Sequence, residues 1–189
     1  MKNLTLRAAL EWTCRLYVFF FLSFYGLAKL IGGQFYTSDS IPEEVANMTL
    51  GQAPNFELAW VFMGKSFGYM LFIGLSEMIG AILLLFNRTK LIGAFILISI
   101  LLNVIVFDIF FLDKYGALGS AIIYFIMLMV ILYLNRDQIL TAFRSLIQPA
   151  NSQSSVKEKA LIFGVAIVCM AVIFGIDQLI VNWLGHGKG

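Results

Sequence analysis

Five apolar runs fill most of the chain, at about residues 16–31, 60–86, 91–112, 115–134 and 160–184. A helix that spans a bilayer needs roughly 20 apolar residues, and these runs reach or approach that length. They offer no polar face with which a soluble helix would meet water. They also lack the two-residue alternation of a membrane β-strand. The pattern predicts an all-α polytopic membrane bundle. Four spans form a core, and a fifth C-terminal transmembrane helix stands apart in sequence.

Polar stretches divide these runs. Residues 33–58, "GQFYTSDSIPEEVANMTLGQAPNFEL", make a long loop of the kind that often carries function or folds on itself. Within it, "IPEEVANM" reads either as solvated loop or as one short interfacial helix with Pro42 in its first turn. In "RDQILTAFRSLI", residues 136–147, Ile139, Phe143, Leu146 and Ile147 share one helical stripe flanked by Arg136 and Arg144. That predicts an amphipathic helix lying on the membrane surface. Residues 148–159 then read as a polar linker. The expected organisation is a four-span unit at 1–147, the linker, and the fifth span with its tail at 160–189.

Composition agrees with the pattern. The chain of 189 residues is 60% hydrophobic and 13% charged, whereas soluble domains are nearer half apolar and about a quarter charged. Charge then sets the orientation, because Lys and Arg accumulate in cytoplasmic loops. With the N-terminus inside, Lys2, Arg7, Arg15, Arg88, Lys90, Arg136, Arg144, Lys157 and Lys159 are all inside. Lys114 and Lys188 fall outside, with Lys29 and Lys65 in or near the outer half. The acidic loop of Asp39, Glu43, Glu44 and Glu57 is external. The expected topology is N-terminus inside, C-terminus outside, and it suits a bacterial plasma membrane. Glu11 and the lack of a small-residue cleavage site predict that the first span is an uncleaved anchor.

The informative residues are the charges inside the spans. A central charge costs roughly 2.5–3.5 kcal/mol to insert, and each large apolar residue returns about 0.3–0.6 kcal/mol. Glu77, near the middle of the second run, therefore consumes much of what that run returns. Its carboxyl must face the bundle interior, either partnered, with Tyr25, Asn103 or Lys29 as the candidates, or protonated. Gly74, Gly80 and Ala81 lie on its helical face, and small residues let membrane helices pack closely. Counting about 1.5 Å of rise per residue puts Tyr25 level with Glu77 at about 14 Å, Lys29 at about 20 Å and Asn103 at about 18 Å. The same count puts Asp108 and Asp177 at about 25 Å. Lys29 is expected to pair with Asp108 or Asp177, and Asn103 to donate an interhelical hydrogen bond.

Other chemistry is thinly represented. Cys14 and Cys169 lie in different spans with no C-x-x-C motif, and read as small apolar fillers. The one histidine, His186, follows the last span, so no intramembrane imidazole offers itself to a haem. Clustered metal ligands and a glycine-rich phosphate loop are missing from the sequence, and nothing points to nucleic acid.

Three segments carry a resemblance: "YGLAKLIGGQF", "WVFMGKSFGYMLFIGLSEMIGAILLLFNRTKLIGA" and "LLNVIVFDIFF". Together they resemble the bacterial DoxX-like membrane family over about residues 15–135. The resemblance implies a four-helix membrane core. It also implies a link to quinone-dependent redox complexes, as in the membrane subunit of thiosulfate:quinone oxidoreductase. Carried onto this chain, it points to Tyr25, Lys29, Glu77 and Asn103. The sequence departs from the family pattern at Asp108, where Asn is usual, and at "FLDKYG", where Asp-x-Pro is usual.

Three functional readings follow. The first is a membrane subunit or accessory of a quinone-linked redox complex, holding a quinone and docking an oxidoreductase or a second copy of itself. The second is a non-catalytic scaffold for envelope proteins. The third is a small proton-coupled carrier.

Overall fold

Antiparallel packing of small residues sets the architecture. The computed structural model describes residues 2–112, 115–147 and 155–184. Among these it is all-helical, and five helices are long and apolar enough to cross a membrane. The protein is therefore a multi-pass membrane protein. Lys114, His186, Lys188 and linker residues 148–154 lie outside the described residues.

The chain divides into two units, residues 1–142 and 143–189. In the first unit, helix α1 spans Lys2–Leu30. A short α2, Glu43–Ala46, and α3, Asn55–Gly64, follow in residues 31–66, the segment that the charge pattern assigns to the outer side. Helices α4 (Phe67–Leu85), α5 (Lys90–Phe111) and α6 (Gly116–Leu134) complete the set of long helices. α1 packs on α4 and α6, and α5 packs on the same two, so the four form a closed ring. Its core is Cys14, Val18 and Leu22 of α1, Ala81 and Leu84 of α4, Leu97 and Leu101 of α5, and Leu128 and Ile131 of α6.

Glycines decide how closely the helices approach. A Cβ on Gly26 would lie 2.8 Å from the Gly74 carbonyl oxygen, and one on Gly74 equally close to that of Gly26. α1 and α4 thus touch backbone to backbone near their outer ends. α4 and α5 touch in the inner half, where a Cβ on Gly93 would lie 2.6 Å from the Gly80 carbonyl oxygen. The small face around Glu77 therefore serves two seams rather than one.

Three boundaries differ from the sequence reading. α1 begins at Lys2, well before the apolar run, and its early turns lead into the buried Cys14 and Arg15. The expected continuous span at 60–86 is two helices, α3 and α4, broken at Lys65 and Ser66. The Ser66 side chain accepts from the Tyr69 N–H and so caps α4. A Cβ on Gly64 would collide with the Tyr36 carbonyl, so the outer segment folds back against the break. Finally, "IPEEVANM" does contain a helix, α2, but Pro42 is its N-cap residue rather than part of its first turn.

Helix α7, Arg136–Ile147, follows α6 directly, and the division between the units falls inside it. The second unit's long helix, α8, spans Val156–Leu184, so residues 156–159 are its first turn rather than linker. Apart from partly covered Val181, its described side chains are exposed. An apolar helix so exposed requires lipid around it.

A buried ion pair at the wall of an outer-half cavity

Lys29 and Glu77 meet directly. The Lys29 Nζ donates to Glu77 Oε1 at 2.8 Å and Oε2 at 2.7 Å. Both residues are buried, 5% and 2% exposed. The expected pairing of Lys29 with Asp108 or Asp177 is corrected accordingly. The cause is side-chain direction. Every Cα–Cβ bond of a helix tilts toward that helix's N-terminus. α1 and α4 run antiparallel, so the Lys29 and Glu77 side chains lean toward each other along the bundle axis. The two heads converge although their backbones are offset by about one turn.

The pair lines a cavity of about 770 Å³ enclosed by α1, α4, α5 and α6 and covered by the outer segment. Tyr25, Lys29, Glu77, Asn103 and Asp108 all line it, which brings together five of the six residues singled out in the sequence. Asp108 is 5% exposed and lies within the electrostatic reach of Lys29. Asn103 is exposed at the cavity edge instead of sitting in a helix seam. The cavity is built by the first unit alone, and Asp177 belongs to α8 in the second.

Sequence reasoning missed the other half of the wall. Tyr124 of α6 is buried, with its ring 6.3 Å from that of Tyr25, 6.1 Å from Tyr17 and 5.8 Å from Phe21. The available signal was the Ser120–Tyr124 pair, one turn apart in an otherwise apolar run. Ser76 and Ser99 also reach the cavity, each hydroxyl donating to the carbonyl one turn back, Phe72 at 2.7 Å and Phe95 at 3.0 Å. The cover is aromatic. Trp60 of α3 stacks on Phe56 at 4.1 Å and meets Phe35 edge-on at 5.5 Å.

A second polar cluster closes the inner end. Arg15, 1% exposed, donates from Nε to the Leu84 carbonyl at 2.5 Å and from Nη1 to Asn87 Oδ1 at 2.8 Å. Leu84 offers one of the carbonyls that the end of α4 leaves without an intrahelical partner. Glu11 bridges Arg15 at 3.5 Å and Lys90 at 2.5 Å, and the Trp12 ring lies 4.0 Å from the guanidinium carbon. Loop counting places these charges inside, and the fold uses them as the tie between α1 and the α4–α5 turn.

Over 151 residues the chain is 34% identical to the uncharacterized protein YwoB of Bacillus subtilis strain 168, an alignment covering 80% of this chain and 92% of that protein. No family model matches the chain. No solved structure matches it either.

Proposed function

From the premise that the chain belongs to the family of the Bacillus subtilis protein YwoB, we propose that it is a DoxX-like subunit or accessory of a quinone-linked redox complex. Its place is the bacterial plasma membrane. The observation that carries this reading is the Lys29–Glu77 pair at the wall of the cavity.

Small-molecule sites are mostly apolar clefts of about 300–1,000 Å³ with a few convergent polar groups. This cavity fits that description in size and lining. A quinone head presents two carbonyl oxygens, which need donors. An ammonium has three N–H groups; Glu77 takes two of those on Lys29, which leaves one. The phenols of Tyr25 and Tyr124 are further donors on the lining. Bound there, a quinone supplies two-electron, two-proton chemistry. The chain's own residues hold the head, keep water out beneath the aromatic cover, and exchange protons at Asp108. Electrons pass to or from a partner oxidoreductase.

Native mass spectrometry of the gently solubilised protein tests this. A quinone-mass adduct on the wild type, lost in Glu77→Gln and weakened in Tyr124→Phe, is the expected result. A bare chain, or one carrying only another polypeptide, overturns it and favours the scaffold.

One observation favours a second reading. Glu77 takes both described hydrogen bonds of the Lys29 ammonium, while Asp108, also buried, lies only within its electrostatic reach. A proton-coupled carrier would use the uncompensated acid. Uptake into liposomes that Asp108→Asn abolishes, without quinone binding, would select it.

A further inference from the structure

Helix α5 has two distinct faces. Lys90, Gly93, Ala94, Leu97, Leu101 and Asp108 are buried in the bundle. The opposite stripe, at spacings of three and four, contains Ile92, Phe95, Leu102, Val106 and Phe110, all exposed. These are the side chains that lipid covers. Ser99 and Asn103 sit on that same stripe, one turn apart, and both are exposed. A carboxamide facing hydrocarbon is expensive, and polar side chains at membrane depth mark water-filled or ligand pathways. Both residues also line the cavity. The cavity therefore reaches round to the lipid side of α5.

The helix packing shows why. α4 and α5 are in backbone contact at Gly80 and Gly93, in the inner half. On the other side of that contact, Phe72 and Ser76 of α4 and Ile100 and Asn103 of α5 all line the cavity, so cavity space lies between the two helices there. Phe72 is 68% exposed. Polar groups thus rim this gap between the two helices.

We infer that this gap is a lateral portal through which the ligand enters from the bilayer. The polar head passes Ser76, Ser99 and Asn103 to reach Lys29, Tyr25 and Tyr124. The apolar tail stays between α4 and α5, among lipid chains. The ligand class is accordingly a membrane-dissolved molecule with a hydrogen-bonding head and a hydrocarbon tail. The portal stands on the helix geometry; only the naming of its ligand rests on the quinone reading.

The test uses the full chain in lipid nanodiscs with Cys169→Ser and a nitroxide at one new cysteine. One label replaces Asn103 on the rim, and another replaces Ser120 on the opposite wall of the cavity. Dissolved oxygen partitions into hydrocarbon, whereas a nickel chelate stays in water. Both labels are expected to relax with oxygen and to be shielded from the chelate. Adding Ser99→Phe and Asn103→Phe to the Ser120 label should cut its oxygen relaxation several-fold. Relaxation of the Ser120 label by the chelate would show a cavity open to water, and would overturn the portal. So would indifference of that label to oxygen, or to the two phenylalanines. A decyl-substituted benzoquinone is then added to the Ser120-labelled chain. Loss of oxygen relaxation supports quinone entry by this route. No change, with oxygen access intact, upholds the portal and removes the quinone.

Discussion

Lys29 and Glu77 answer each other directly in the hydrocarbon. Removing one partner of a buried pair leaves the other charged and uncompensated, at a cost of about 3–5 kcal/mol, while replacing both with apolar groups is often neutral. Glu77→Gln is therefore expected to destabilise the protein by about that amount. The double variant Lys29→Met with Glu77→Leu should recover most of the loss. Denaturant unfolding in mixed micelles measures both; equal loss in the single and double variants would deny the pair its structural role. Both residues were legible in the sequence, because intramembrane charges stand out against Leu and Ile. Their pairing was one of several options, set beside Asp108 or Asp177 for Lys29 and Tyr25 or Asn103 for Glu77. Counting rise along each helix locates Cα atoms, and the opposed leans of two long side chains span the remaining gap. The role of Arg15 was hidden for a related reason. It lies at the inner edge of an apolar run, and only the tertiary fold shows that the α4 C-terminus turns its carbonyls toward it.

Among the elements, the long helices α5 and α6 followed the apolar runs to within a residue or so at each end. The break between α3 and α4 did not, because Gly64, Lys65 and Ser66 sit inside a run whose hydropathy continues across them. The outer segment that folds against this break has a titratable fastener. Tyr36 is pushed above its ordinary value of 10.0 by burial first, then by the charge of Glu57 and its hydrogen bond to that carboxylate. The folded protein holds the phenolic proton more tightly than the unfolded chain does. This contribution is complete below the unfolded value and is lost as pH rises through the folded one. Above pH 10, hydrogen exchange in residues 33–58 is expected to accelerate in the wild type. Tyr36→Phe should show no such alkaline step, with somewhat weaker protection at every pH. An identical alkaline profile in the variant would remove Tyr36 from the fastening.

For the whole molecule, class and span number were plain from the sequence, since five apolar runs and about half the usual share of charged residues leave few alternatives. The long N-terminal extension of α1 was hidden, because hydropathy registers only the part of a helix that faces lipid or core. That helix also has the lowest mean hydropathy of the five spans, 1.2, and buries both Arg15 and Lys29. Its partners arrive late: Glu77 lies 48 residues after Lys29, and Asn87 lies 72 residues after Arg15. During synthesis α1 must therefore wait at the insertion machinery, with Lys29 unmatched and Arg15 held by Glu11 of the same helix, until α4 emerges. A nascent chain stalled before Phe67 is expected to leave α1 extractable by alkaline carbonate. A chain extended past Phe86 should retain it, and Glu77→Gln should weaken that retention. The marginal first helix thus makes biogenesis a delayed, two-part commitment, in which the ribosome must deliver the acid before the membrane can keep the base.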